Sequence, residues 1–253
     1  MWKGDYGFLL RKLVLRDFKV RYRKMSLGVF WSLLNPIVTV SILTFVFTKV
    51  LPPNIPNFPV FAMCGLVPFS FFTQTWGMST SSLVENASLV KHVLLPRQLI
   101  PIASVLANCI HLLMQFALLL ALSLWFGGEI TAVWLWLPVL AVLEILFVCG
   151  LTLISSALHV YVRDTRYAVE SVNTVLFWVV PIFYSFSSIP AKYQNVYQYN
   201  PLAALTLALR NILLDARSPA DSLLMKLTAV SVVTFALGWF FFGRMKARFY
   251  DSL

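Results

Sequence analysis

A chain of 253 residues that is 59% hydrophobic and only 12% charged, with a mean hydropathy of +0.80, holds more apolar surface than a soluble fold of that size can hide. Its net charge of +10 comes in short clusters between long apolar runs, which speaks for membrane topology and anionic headgroups and against nucleic acid. Cys64, Cys109 and Cys149 each lie inside an apolar run with no Cys-x-x-Cys spacing, which argues against a disulfide framework or a metal site.

The first two dozen residues are charged and amphipathic, unlike a cleavable signal peptide. Residues 1–25 are predicted to form an amphipathic cytoplasmic interface helix. Leu10, Val14 and Phe18 share one helical face, while Lys12, Arg16, Lys19 and Arg23 share the other. That face pattern predicts a helix lying in the membrane surface, apolar side toward acyl chains. It serves as an anchor on anionic lipid or as a docking element for a cytoplasmic partner, and the two roles are compatible.

Crossing a bilayer takes about 20 apolar residues. Residues 25–48 are uncharged and give the first span. Pro52, Pro53, Pro56 and Pro59 then mark an extended external loop, and the second span follows over residues 58–83. Residues 98–128 give the third and 134–162 the fourth, interrupted only by Glu144; 171–187 form the core of the fifth, and 227–243 close the set. The whole reads as one transmembrane domain: an all-α integral membrane protein with about six transmembrane helices over 26–243 and a cytoplasmic tail at 244–253.

Residues 188–221 are too polar to span and too apolar for an ordinary loop. Tyr193, Tyr197 and Tyr199 suit the membrane boundary, and short helices on the outer face, or re-entering it to cap a pathway, are expected between the fifth and sixth spans. The alternative is a loop lying on the surface. With this topology fifteen Lys and Arg fall on the side of the termini and five on the other. Both termini are therefore expected in the cytoplasm. The halves show no internal repeat, which gives an inverted-repeat transporter no support.

Enzyme chemistry is hard to find. No glycine precedes a lysine, so the phosphate-binding Gly-Lys-Ser/Thr loop is missing, and neither a His-Glu-x-x-His motif nor a Gly-x-Ser-x-Gly elbow occurs. His92, His111 and His159 are scattered and read as packed or interfacial histidines. Glu144 is the one acid well inside a span, either facing a polar pathway or serving as a structural group bonded to a neighbouring helix; the structural role is favoured. Aromatic residues cluster in the second span (Phe69, Phe71, Phe72, Trp76) and in the fifth (Phe177, Trp178, Phe183, Tyr184, Phe186). They suit either a conduit that stacks on sugar rings or ordinary bundle packing.

Four segments in order carry a family resemblance. Residues 85–97 have the pattern Glu-Asn-x-x-Leu-x-Lys-x-x-x-x-Pro-Arg through Glu85, Asn86, Leu89, Lys91, Pro96 and Arg97. This resembles the coupling segment of ABC type-2 exporter permeases. Residues 26–36, ending in Asn35-Pro36, resemble that family's entry to the first span. Residues 161–167, with Arg163-Asp164, resemble its turn before the fifth span, and Asn200-Pro201-Leu202 with Arg210 its outer segment. The nearest branch is the permeases for lipid-linked polysaccharides such as O-antigen, capsule and teichoic acid. One departure is Ala204, where the family often has a polar or aromatic residue.

The resemblance implies a permease subunit without an ATPase site of its own. Two copies would pair and dock two cytoplasmic ATPase subunits, which would hold ATP and Mg, with no cofactor bound by this chain. It further implies coupling through Glu85, Asn86, Leu89, Lys91, His92, Pro96 and Arg97. The translocation path would involve Phe30, Trp31, Asn35, Phe177, Trp178, Pro181 and Tyr184. The expected function is ATP-driven export of a lipid-linked polysaccharide across the cytoplasmic membrane of a bacterium. The alternatives are a type-2 permease for drugs or another lipid, and a membrane-embedded transferase acting on lipid-linked sugars.

Overall fold

The computed structural model describes residues 6–22, 31–46, 55–92, 95–246 and 249, with the side chains of 21, 22, 31–33, 35, 43 and 92 left aside. The described residues form helices and connecting turns, with no strand among them. In chain order the helices are α1 (Tyr6–Tyr22), α2 (Trp31–Phe45), α3 (Phe58–Thr80), α4 (Ser82–Glu85), α5 (Ala87–His92), α6 (Leu99–Trp125), α7 (Trp136–Tyr161), α8 (Thr165–Val179), α9 (Ala191–Tyr197), α10 (Pro201–Leu213) and α11 (Asp221–Met245).

Among the described residues four segments are long and apolar enough to cross a membrane: α3, α6, α7 with the 3-10 turn before it, and α11. α2 covers nearly all of the described part of the first expected span, residues 25–30, 47 and 48 lying outside the described residues, and the fifth appears as the shorter α8 of 15 residues. The fifth stops well before residue 187. Its last turn is capped at Val180, just ahead of Pro181, whose ring cannot continue a helical hydrogen-bond ladder.

α3 is the axle of the bundle. Its start at Asn57 uses a left-handed backbone (φ 51°), and Pro59 sits in the first turn, where the missing N–H has no carbonyl to lose. From there it is buried almost to its end, packed against α2, α6, α7, α8 and α10. Side-chain pairs give the directions. Ser79 Oγ donates to Ser104 Oγ at 3.0 Å and Ser70 Oγ to Gln115 Oε1 at 2.8 Å, so α3 and α6 are antiparallel. Phe72 stacks on Phe147 at 5.8 Å and Trp76 Nε1 donates to Ser155 Oγ at 3.1 Å, so α3 and α7 are parallel. α7 and α11 also run parallel, with the Tyr161 hydroxyl donating to the Met245 carbonyl at 2.9 Å. These directions match the alternation of the expected spans.

α1 makes a contact that the sequence did not predict: Leu13 is buried and the helix packs along α6, while Leu9, Leu10, Val14 and Phe18 are partly covered. The reason is that Leu9 and Leu13 continue the same stripe four residues apart, and the N-terminal turns of α6 offer it an apolar partner in Ile100 and Ala103.

At the opposite end of the bundle α10 is built into the fold, whereas α9 buries none of its residues and lies on the surface. Asn200 caps α10, its Oδ1 accepting from the Leu202 N–H at 3.1 Å, and Pro201 takes the first turn. Leu202, Ala203, Ala204, Ala208 and Leu209 are all buried against the core. Ala204, with 0% of its surface exposed, fills a position where a larger polar or aromatic side chain would have no room without repacking.

Candidate functional site

One end of the bundle gathers the basic clusters. The end of α3, the short α4 and α5, the start of α6 and of α8, and the ends of α7 and α11 meet there, roofed by α1. Three contacts tie the elements together. The Arg16 guanidinium on α1 donates to the Asn86 side-chain oxygen between α4 and α5. Asn86 in turn donates its Nδ2 to the Ser82 carbonyl at 2.8 Å. Arg97 Nη1 donates to the Lys246 carbonyl at 2.6 Å, joining the start of α6 to the end of α11. Asn86 thus works in both directions, accepting from a charged donor while stitching α4, which makes α1 and the 82–92 segment one mechanical unit.

The predicted coupling residues fall into two sets around this junction. Asn86 is buried, Leu89 is half-buried against Leu13, Ile100 and Ala103, and Pro96 and Arg97 are partly covered. Glu85 and Lys91 are exposed, available to something outside this chain. Of the interface residues Lys12, Arg16 and Lys19 are exposed, and the Lys12 ammonium lies 5.3 Å from the Phe8 ring centroid. The His92 side chain and Arg23 lie outside the described residues.

Between α1, α3, α4, α6 and α8 this end forms a half-open cavity of about 600 Å³. Sequence reading did not foresee it. Its walls mix charged and neutral polar groups, among them Arg16, Gln74, Ser82, Glu85, Arg166 and Asn173.

The expected translocation residues are only partly brought together. Phe177 packs within the chain, its ring 5.5 Å from Phe69 and 5.4 Å from both Trp178 and Phe183. Trp178 turns away from the bundle and is 72% exposed. Pro181 is buried at the break after α8, and the Tyr184 hydroxyl folds back to donate to the Val179 carbonyl at 2.7 Å, closing the end of that helix. Phe30 and the side chains of Trp31 and Asn35 lie outside the described residues.

Arg210 is a residue whose role sequence reading missed. Its guanidinium donates to the backbone carbonyls of Ile182 at 2.8 Å, Phe61 at 3.4 Å and Tyr184 at 3.5 Å, and lies 3.4 Å from the Phe61 ring centroid. One side chain on α10 therefore holds the broken segment after α8 against the start of α3. The available signal was a lone arginine inside an apolar helix, a residue that enters such surroundings only with its donors satisfied. Glu144 is the contrasting case: 1% exposed on α7, with neither carboxyl oxygen bonded among the described residues. The expected bond to a neighbouring helix is not found there.

Comparison with known proteins settles what kind of membrane bundle this is. The profile of the family described as ABC-2 type transporter matches residues 9–214. The chain belongs to the ABC-2 transporter family. It is 29% identical over 255 residues to the O-antigen export system permease protein RfbA of Klebsiella pneumoniae, covering 99% of this chain and 98% of that one. A protein of the same name from Myxococcus xanthus is 31% identical over 251 residues, 98% of this chain and 96% of its own. The polysialic acid transport protein KpsM of Escherichia coli is 25% identical over 244 residues, covering 92% and 93%. The family match takes in most of α1, residues 85–97 and α10 alike, so the resemblance carried by the four motifs extends over the fold that holds them.

Proposed function

We propose that this chain is the membrane-spanning subunit of an ATP-driven exporter that moves a lipid-linked polysaccharide across the bacterial cytoplasmic membrane. In this reading it works as a pair with itself and with two separate ATPase subunits that supply ATP and Mg. Its termini lie in the cytoplasm in this reading, which the fifteen-to-five distribution of basic residues supports.

The observation that carries the proposal is the bond between Arg16 and Asn86 in a chain similar from end to end to named export permeases. A subunit driven from outside needs a stiff receiving surface. α1 and the 82–92 segment, joined at that bond, form one at the cytoplasmic end, with Glu85 and Lys91 exposed on it. A push there passes along two covalent or packed routes: through α4 directly into α3, and through α1 and residues 95–98 into α6. Both helices line the packed centre of the bundle, so the movement reaches membrane depth without a separate linker.

The second copy is supported by the surface of α8. Of its 15 residues only Val169 is buried, while Val172, Val175 and Trp178 are exposed. An exposed apolar stripe on a helix that already packs α3 on its other side is suited to a like chain across a shared pathway. The cargo class rests on the relatives, whose printed names concern O-antigen export and polysialic acid transport.

Deleting the chain from its native cell tests the reading. Surface polysaccharide is expected to disappear while lipid-linked glycan builds up inside, and restoring the intact chain, but not one with residues 85–97 scrambled, is expected to recover it. Normal surface polysaccharide in the deletion strain would overturn the proposal.

A further inference from the structure

We infer that the end of α11 and the buried Phe249 beyond it form a third attachment for the 85–97 segment, with Phe249 the positioning residue that lets a push on that segment reach α7 and α11. The inference rests on the exporter reading above and adds a route to the two already described.

The first observation is where Phe249 lies. It follows α11 in a stretch carrying Lys246 and Arg248, charges that favour water, yet it is 0% exposed. Its ring meets that of Phe242 edge to face at 5.3 Å and that of Tyr161 at 5.9 Å, so one side chain bridges α11 and the end of α7. Phe249 also belongs to a packed cluster with Leu83, Val90, Leu95, Ile100, Val160 and Phe242, distinct from the larger core around α3. That cluster brings the 85–97 segment together with α4, α6, α7 and α11.

The second observation is polar. The last carbonyls of a helix have no partner within it. At the end of α11 two of them are met from outside: the Met245 carbonyl accepts from the Tyr161 hydroxyl at 2.9 Å, and the Lys246 carbonyl from Arg97 Nη1 at 2.6 Å. A guanidinium at the negative end of the helix dipole makes the second contact a charge-assisted one. Arg97 is the last residue of the 85–97 segment, so that segment is seated directly on α11.

Both bonds hold only while the end of α11 keeps one position and direction. Helix ends fray unless something beyond them is fixed. Phe249, locked in the cluster, is that fixed point. α7 and α11 in turn meet backbone to backbone at Gly150 and Gly238, so a displacement delivered to the end of α11 moves the two spans together.

The test assembles the full exporter in its native cell with Phe249→Ala, Phe249→Leu, Tyr161→Phe or Arg97→Gln. Three quantities are followed: ATPase isolated with the chain, ATP hydrolysis by the isolated complex, and surface polysaccharide. Phe249→Ala is expected to retain the ATPase and to hydrolyse ATP within about twofold of the unaltered chain, while surface polysaccharide falls about tenfold, the scale on which a residue along a coupling route acts. Phe249→Leu refills the cluster with an apolar side chain and is expected to recover most of the export. Tyr161→Phe keeps the ring and removes only the bond to Met245; about a threefold loss of export at an unchanged level of complex is expected. Phe249→Ala combined with Arg97→Gln is expected to export no less than the weaker single variant, since two breaks in one connection do not add. Normal export in Phe249→Ala or in Tyr161→Phe would overturn the route, and so would losses that multiply in the double variant. Export that falls only in step with the amount of assembled complex would overturn it too, leaving Phe249 a part of the fold alone. Surface polysaccharide that survives deletion of the whole chain would bring down the exporter reading instead.

Discussion

Gly150 on α7 and Gly238 on α11 stand in backbone contact: a Cβ added at Gly238 would collide with the carbonyl of Gly150, and one added at Gly150 would lie 2.6 Å from the backbone of Thr234 and Phe235. Lipid supplies no hydrophobic drive between helices, so close approach through small residues is how two spans hold together in a bilayer. This pair makes α7 and α11 a parallel unit down to the bond between Tyr161 and Met245 at its end. Gly238→Ala is expected to cost about 2 kcal/mol through overpacking, read as a lower denaturation midpoint of the purified chain. Gly243→Ala, on the same helix with open space around it, is the control and is expected to stay within about 0.5 kcal/mol. Equal effects at the two positions would refute the close contact.

Arg210 predicts a local failure rather than a global one. Removing it in Arg210→Ala leaves the carbonyls of Ile182, Phe61 and Tyr184 without their donor. The expected loss is about 3 kcal/mol, on the scale of a hydrogen-bonded buried charge. Hydrogen exchange should rise first in residues 180–190. Arg210→Lys keeps the charge but loses the flat fork and its stacking on Phe61, and should rescue only part of that protection. Unchanged exchange in both variants would contradict the clamp.

The two neighbouring aromatics of α8 should separate stability from transport. Phe177→Ala is expected to lower stability by roughly 2 kcal/mol, because its ring fills space between Phe69 and Phe183. Trp178→Ala removes an exposed ring, so the denaturation midpoint should hold while glycan export or pairing of copies declines. A Trp178 variant with full export and pairing would remove that residue from the pathway.

Nothing bonded to Glu144 depends on its charge among the described residues. Glu144→Gln keeps the side chain's size and is expected to leave export unchanged. Loss of export with the fold intact would instead assign Glu144 a proton-transfer task.

Much of the architecture was legible because the strongest signals in the sequence are physical ones at membrane scale. The uncharged run around Ala103 and Leu119 is long enough to fix α6, and the alternation of basic loops orders the spans. What the sequence hid depends on partners supplied by the fold. α1 announces an amphipathic face, but only the start of α6 explains why Leu13 turns inward. Pro181 signals a break, yet Arg210, which holds it by bonding Ile182, lies 28 residues beyond Ile182. The cavity is the extreme case: Ser82, Asn173 and Gly77 are ordinary residues on separate elements, and no spacing along the chain links them.

The central claim, a membrane subunit driven from outside through residues 85–97, is tested most directly by mild-detergent isolation of the tagged chain from its native cell, with mass spectrometry of the intact complex. The account predicts two copies of the chain with two copies of a soluble ATPase, and loss of the ATPase when residues 85–97 are scrambled while the chain itself stays folded. A chain recovered without any ATPase in several detergents and after crosslinking would contradict it.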